Sequence, residues 1–176
     1  MLVFVAGLHG VGKTSLCKKV VDSFEPAFEH FSASQLIKKQ LNSEDHFNKD
    51  KKTKNIEKNQ NALIEALHSI EKSYPRILLD GHFTLINSEG KVVNTPIQTF
   101  SQLNMAACIL IQAEPSEILE RLRKRGECSW TLNQISDHLI TEREQAQLVT
   151  TNLQVSLFIL SSPQPQDLET VLRKLV

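Results

Sequence analysis

The 176-residue chain has no surplus of either charge: 20 lysines and arginines stand against 20 aspartates and glutamates, a formal net charge of zero. A protein held to nucleic acid or to an anionic membrane by phosphate attraction carries a basic excess, so both classes are disfavoured as partners. No apolar run approaches the roughly 20 residues needed to cross a bilayer. The opening MLVFVAGLHG has neither a basic leader nor a small-residue cleavage site, and it reads as a strand entering a loop. A soluble, cytoplasmic protein is the expectation. Cysteine is scarce. Cys17, Cys108 and Cys128 are odd in number and scattered, with no CxxC pair, which excludes a disulfide framework and a zinc knuckle. They read as ordinary core or surface thiols. The single tryptophan, Trp130, is assigned to packing.

What is present is enough for one domain. Residues are 40% hydrophobic and 23% charged, a composition that buries a core and does not match disorder. Short apolar runs alternate with amphipathic stretches from end to end, without internal repeats. This is the pattern of an α/β protein with a parallel sheet and helices on both faces. Five strands are predicted over 2–6, 28–32, 76–80, 106–112 and 155–160, most of them continuous apolar runs suited to burial on both faces. Helical spacing of apolar residues predicts helices over 12–24 and 56–70. A third is predicted in EPSEILERLRKRG, with Pro115 in its first turn, Arg121, Arg123 and Arg125 near its end and Gly126 as its stop. Two segments break the rhythm. Residues 42–61 are polar and lysine-rich and form a candidate arm, read either as a solvated face or as a substrate-facing insertion. Residues 81–95 read as a small hairpin or looped excursion after a central strand.

The plainest site is GLHGVGKT over 7–14, which satisfies GxxxxGK[ST] between a predicted strand and a predicted helix. Its glycines let the backbone curl so that N–H groups point inward, towards phosphates held at the positive end of the following helix. The candidate ATP-binding residues are therefore Gly7, His9, Gly10, Val11, Gly12, Lys13, Thr14 and Ser15. Lys13 reaches the β and γ phosphates, and the Thr14 hydroxyl is a ligand for Mg²⁺. The second metal anchor is Asp80, which follows three apolar residues in ILLDGH, the Walker B arrangement; an aspartate before glycine also simply ends strands. His82 either contacts acceptor or water, or packs at the strand end. Phosphoryl transfer also needs cations on the transferred group. Arg125 and Arg143 are the candidates, with Arg121 in reserve, because 126–131 between them reads as a short lid.

With these motifs in place, the chain resembles the adenylate-kinase-like branch of P-loop nucleoside monophosphate kinases, most closely the archaeal-type adenylate kinases, over nearly its whole length. The family's phosphate loop, usually GxPGxGKT, is similar to GLHGVGKT with His9 at the proline position. Its DTH element resembles Asp80-Gly81-His82, and its E/D-P-x-E-I-L helix start resembles residues 114–119. The resemblance implies a three-layer P-loop NTPase fold, with adenine near Ser161-Ser162-Pro163 and an acceptor under the 42–61 arm. Where the family places an acidic residue near the start of its second helix, this sequence offers Ser34 and Gln35. Where an arginine is expected in the arm, it offers Lys54 or a neighbouring lysine, which does not reproduce bidentate guanidinium contacts. The donor half thus follows the family more fully than the acceptor half.

Three activities fit. The first is a Mg²⁺-dependent phosphotransferase that moves the ATP γ-phosphate to a nucleotide or other small acceptor. The second is a nucleotide-dependent switch or accessory ATPase read by a protein partner. The third is a polynucleotide 5′-hydroxyl kinase, suggested by the locally basic arm and opposed by the neutral overall charge.

Overall fold

A computed structural model describes residues 1–44, 56–87 and 90–176. Strand β1 (Leu2–Ala6) leads through the phosphate loop into helix α1 (Lys13–Val21). Next come β2 (Glu29–Ser32), α2 (Ala33–Glu44), α3 (Ile56–Glu71) and β3 (Ile77–Asp80). A hairpin of β4 (Thr84–Ile86) and β5 (Val92–Asn94) precedes the short helix α4 (Ile97–Ser101) and strand β6 (Met105–Gln112). Helices α5 (Pro115–Lys124) and α6 (Leu132–Leu153), strand β7 (Ser156–Ser161) and helix α7 (Pro165–Leu172) complete the chain.

The five long strands form one parallel sheet in the order β2-β3-β1-β6-β7. Each predicted strand is present, with ends shifted by no more than a residue. β1 lies at the centre, and all five of its residues are buried, as a run of LVFVA demands when both faces are covered. Its side chains alternate between two cores. Val3 and Val5 join Leu16 and Val20 of α1, Ile118 and Leu122 of α5, and Leu168 of α7. Leu2, Phe4 and Ala6 join Leu36 of α2, Leu63 and Leu67 of α3, Phe100 of α4, and Ala146 and Val149 of α6. Helix, sheet and helix therefore make three layers. β7 departs from the expectation of full burial, because as an edge strand it alternates between exposed and half-buried positions. Cys17 and Cys108 are buried free thiols, and Cys128 is an exposed one.

The excursion over 81–95 is an antiparallel hairpin pairing Thr84 with Asn94 and Ile86 with Val92. The candidate arm over 42–61 begins in the end of α2 and finishes in the start of α3; residues 45–55 between them lie outside the described residues. The candidate lid over 126–131 is a short turn between α5 and α6, and α6 opens on a capping box between Thr131 and Gln134. No described helix is long and apolar enough to cross a membrane.

Candidate active site

The phosphate loop is fixed by what its glycines permit. Gly7 has φ 144°, and a Cβ there would lie 2.3 Å from the Ile111 carbonyl oxygen. Gly10, at φ 84°, lies against Leu122, so the loop is wedged between β6 and α5. Gly12 is the left-handed N-cap of α1 and no side chain caps that helix, so its first N–H groups face the concavity of the loop. Lys13 is 6% exposed, and its Nζ donates to the carbonyls of Gly7 at 2.7 Å and Leu8 at 3.3 Å. Burial lowers its pKa to about 8; the charges of Asp80 and Glu142 oppose that shift, and Arg125 reinforces it.

Asp80 ends β3 beside this loop. Its Oδ2 accepts from the Thr14 hydroxyl at 2.8 Å and from His30 Nε2 at 2.7 Å. Burial pushes the carboxyl pKa up, but the hydrogen bonds from His30 and Thr14 and the Lys13 charge outweigh it, so the pKa lies below the usual value and the group is ionised. A hydroxyl and an ionised carboxylate side by side form an oxygen-only donor pair that fits Mg²⁺. Among the described residues no group of three or more His, Cys, Asp or Glu could hold a metal. The pair therefore suits an ion that takes its remaining ligands from phosphate and water, as Mg²⁺ does in nucleotide sites. His82 is the neighbour of this pair. Burial lowers its pKa to about 3, with the Lys13 charge adding to that and a hydrogen bond to the Gly7 backbone opposing it, so it is neutral.

On the other flank, Arg121 Nη1 donates to the Val11 carbonyl at 2.8 Å, and Nη2 donates to Glu117 at 3.1 Å. Both residues line a cavity of about 360 Å³ with Val11, Gly12, Leu16, Ile111, Ser162, Pro163 and Gln164. Ser162 and Pro163 thus stand beside the phosphate loop, where the family resemblance implies adenine. Arg125 is exposed at the C-cap of α5 yet close enough to depress the Lys13 pKa. His9 is exposed at the loop tip, and its Nε2 meets Glu127 Oε1 of the 126–131 turn at 3.0 Å. Ser15 is exposed on α1.

The remaining candidates are Arg143, Ser34, Gln35 and Lys54. Arg143 is exposed on α6, and among the described residues no hydrogen bond or ion pair ties it to the phosphate loop. Ser34 and Gln35 are exposed at the start of α2, with Ser34 Oγ 3.1 Å from Ser32 Oγ. Lys54 lies outside the described residues.

Two groups of buried polar residues have no counterpart in the sequence reading. One is His30, 7% exposed, on Asp80. The other joins α6 to the hairpin: Glu142 accepts from the N–H groups of Phe83 at 2.9 Å and Thr84 at 2.8 Å, and from the Thr84 hydroxyl. Burial nonetheless raises the Glu142 pKa. Because that hydroxyl gives its proton to Glu142, His138 Nε2, 2.8 Å away, is the donor to it. Burial lowers the His138 pKa to about 4, and Trp130 stacks on its ring at 6.1 Å. Trp130 is thus a packing residue, as read from the sequence. Both groups join partners 50 or more positions apart, and no local motif marks them.

The family described as the AAA domain matches residues 6–156. Adenylate kinase from Pyrococcus horikoshii is 28% identical over 184 residues, covering 99% of this chain and 93% of that protein. Adenylate kinase from Thermococcus kodakarensis is 25% identical, with the same shares covered. Among solved structures, the tunicamycin resistance protein of Deinococcus radiodurans superposes with a TM-score of 0.57 at 16% identity, covering 89% of this chain and 97% of that one. Shikimate kinase from Bacteroides thetaiotaomicron gives 0.58 at 13% identity, covering 99% and 97%. At such identities the structural likeness is one of fold.

Proposed function

The chain belongs to the P-loop family described as the AAA domain, and on that premise we propose that it is an ATP-dependent phosphotransferase of nucleoside monophosphate kinase type. It moves the γ-phosphate of ATP to a nucleotide or another small acceptor, with Mg²⁺. The observation that carries this reading is the strand–loop–helix of residues 2–21 with Lys13 buried under the loop and Thr14 hydrogen-bonded to Asp80. Similarity to archaeal adenylate kinases over 99% of the chain supports the same chemistry.

In this reading the loop N–H groups of residues 7–15 hold the phosphates, and the cavity beside Arg121 and Ser162 takes the base. Thr14 and Asp80 would hold Mg²⁺, whose charge would there offset that of the phosphates. Lys13 leaves the Gly7 and Leu8 carbonyls for the phosphate oxygens, where its charge is favoured again. An acceptor oxygen attacks the γ-phosphorus in line, the bond to the β–γ bridging oxygen breaks, and ADP leaves. The protein supplies no nucleophile; its residues position the reactants and stabilise charge. Arg125, already within the field of Lys13, and Arg143 of α6 are assigned to the transferring group. Ser34, Gln35, Lys54 and His82 are assigned to the acceptor side.

A coupled assay of ADP formation with Mg²⁺, ATP and a panel of nucleoside monophosphates tests the reading. Stimulation by at least one of them above ATP alone is expected. Tight ATP binding with no stimulation by any of them counts against it.

A further inference from the structure

The phosphotransferase reading leaves a buried histidine without a role. His30 is on β2, an edge strand of the sheet, where a histidine would ordinarily face water. Instead its side chain is 7% exposed and is directed across the strand pair to Asp80, with Nε2 2.7 Å from Oδ2. The register explains the reach. β2 and β3 run parallel with Ser32 opposite Asp80, so His30 approaches from two residues before the carboxylate's own level.

Both hydrogen bonds to Asp80 land on Oδ2, one from Thr14 and one from His30. A carboxylate anchored through one oxygen cannot rotate freely about its Cβ–Cγ bond, and its other oxygen keeps one direction. Thr14 cannot supply that anchor alone, because its hydroxyl is also the group that turns towards a metal. His30 can, because it belongs to the neighbouring strand β2 and reaches Oδ2 without help from the phosphate loop's helix. Partners of this kind commonly change metal affinity about 10–100-fold when removed.

We propose that His30 is a positioning residue for the metal-binding carboxylate: its Nε2–H bond holds Asp80 in the orientation that accepts Mg²⁺ with the nucleotide. β2 runs directly into α2, which carries Ser34 and Gln35, so the same bond ties the start of the acceptor-side helix to the metal site. The inference rests on the Mg²⁺-nucleotide reading of Thr14 and Asp80.

The experiment is equilibrium binding of a fluorescent N-methylanthraniloyl-ADP, with Mg²⁺ and with EDTA, to wild type, Asp80→Asn, His30→Phe and His30→Gln. Wild type is expected to bind more tightly with Mg²⁺, and Asp80→Asn to lose that gain. His30→Phe, which keeps the ring volume but has no donor, is expected to lose about tenfold of the Mg²⁺-dependent gain while its affinity in EDTA stays within about twofold. His30→Gln, whose amide nitrogen reaches the place of Nε2, is expected to restore it. Equal weakening of His30→Phe under both conditions makes the role purely structural and overturns the inference. An unchanged Mg²⁺ gain in His30→Phe overturns it while leaving the metal reading intact. No Mg²⁺ gain in wild type overturns the metal reading itself. If His30→Phe does not fold, ¹⁵N spectra of wild type decide: a proton on His30 Nε2 before and after addition of Mg²⁺-ADP supports the inference, and an unprotonated Nε2 contradicts it.

Discussion

Lys13 loses its proton near pH 8, whereas a lysine in the unfolded chain keeps it to 10.5. Between those values the unfolded chain binds the proton that the folded one has released, so the stability of the nucleotide-free protein rises with pH over that window. Below pH 8 both states are protonated, and the full cost of burying the charge is present. Lys13→Met removes this dependence. Urea denaturation below pH 8 and near pH 10.5 should therefore show wild type gaining stability relative to Lys13→Met as the pH rises. The same substitution removes the cation from the phosphate site and should lower kcat by about 10²–10³ in the coupled assay, with the far-UV circular dichroism unchanged. Much of the site at this scale was legible in the sequence. Gly7, Gly10, Gly12, Lys13 and Thr14 fall in one eight-residue motif because a loop that encloses phosphates must be made of consecutive backbone. His30 was not legible: a lone histidine in a short strand announces nothing until the register of β2 on β3 brings it to Asp80.

At the scale of elements, the sequence pattern delivers strands better than it delivers the longest helix. β1, β3 and β6 are buried on both faces and read as plain apolar runs. α6 has 22 residues, yet its buried face includes His138, Glu142, Gln145 and Thr150, while Leu132, Ile140 and Leu148 are exposed. The apolar stripe of Ile135, Ala146 and Val149 is therefore broken by polar residues, which weakens the helical signal. Residues 83–95 meet part of that polar face: Glu142 receives the Phe83 and Thr84 N–H groups, and Gln145 donates to the Thr95 carbonyl at 3.0 Å. Glu142→Ala leaves those buried donors without an acceptor and should lower stability by about 3 kcal/mol. Glu142→Gln keeps a carbonyl oxygen and should cost less. Urea midpoints of the two variants check the order; equal midpoints would show that the hairpin does not depend on this acceptor.

Across the whole molecule, a net charge of zero is matched by mixed charge at the site, where Glu117 bonds Arg121 and the charges of Asp80 and Glu142 act on Lys13. Lys13, Arg121 and Arg125 gather at the carboxyl ends of β1 and β6, next to the end of β3 that carries Asp80. The strand order places β1 between β3 and β6, so the loop after β1 and the Asp80 carboxylate meet at one crevice, where open α/β sheets bind their ligands. That order was not fixed by the apolar pattern, which predicts parallel strands but not their neighbours. The acceptor half is the less legible part, since Ser34 and Gln35 replace the family's acidic position and Lys54 falls outside the described residues. The most direct test of the account is to follow ³²P from γ-labelled ATP in the presence of Mg²⁺ and each nucleoside monophosphate, separating labelled nucleoside diphosphate from labelled inorganic phosphate. Label in a nucleoside diphosphate, abolished by Lys13→Met, is the predicted result; label released only as inorganic phosphate, at a rate indifferent to every acceptor, would contradict it.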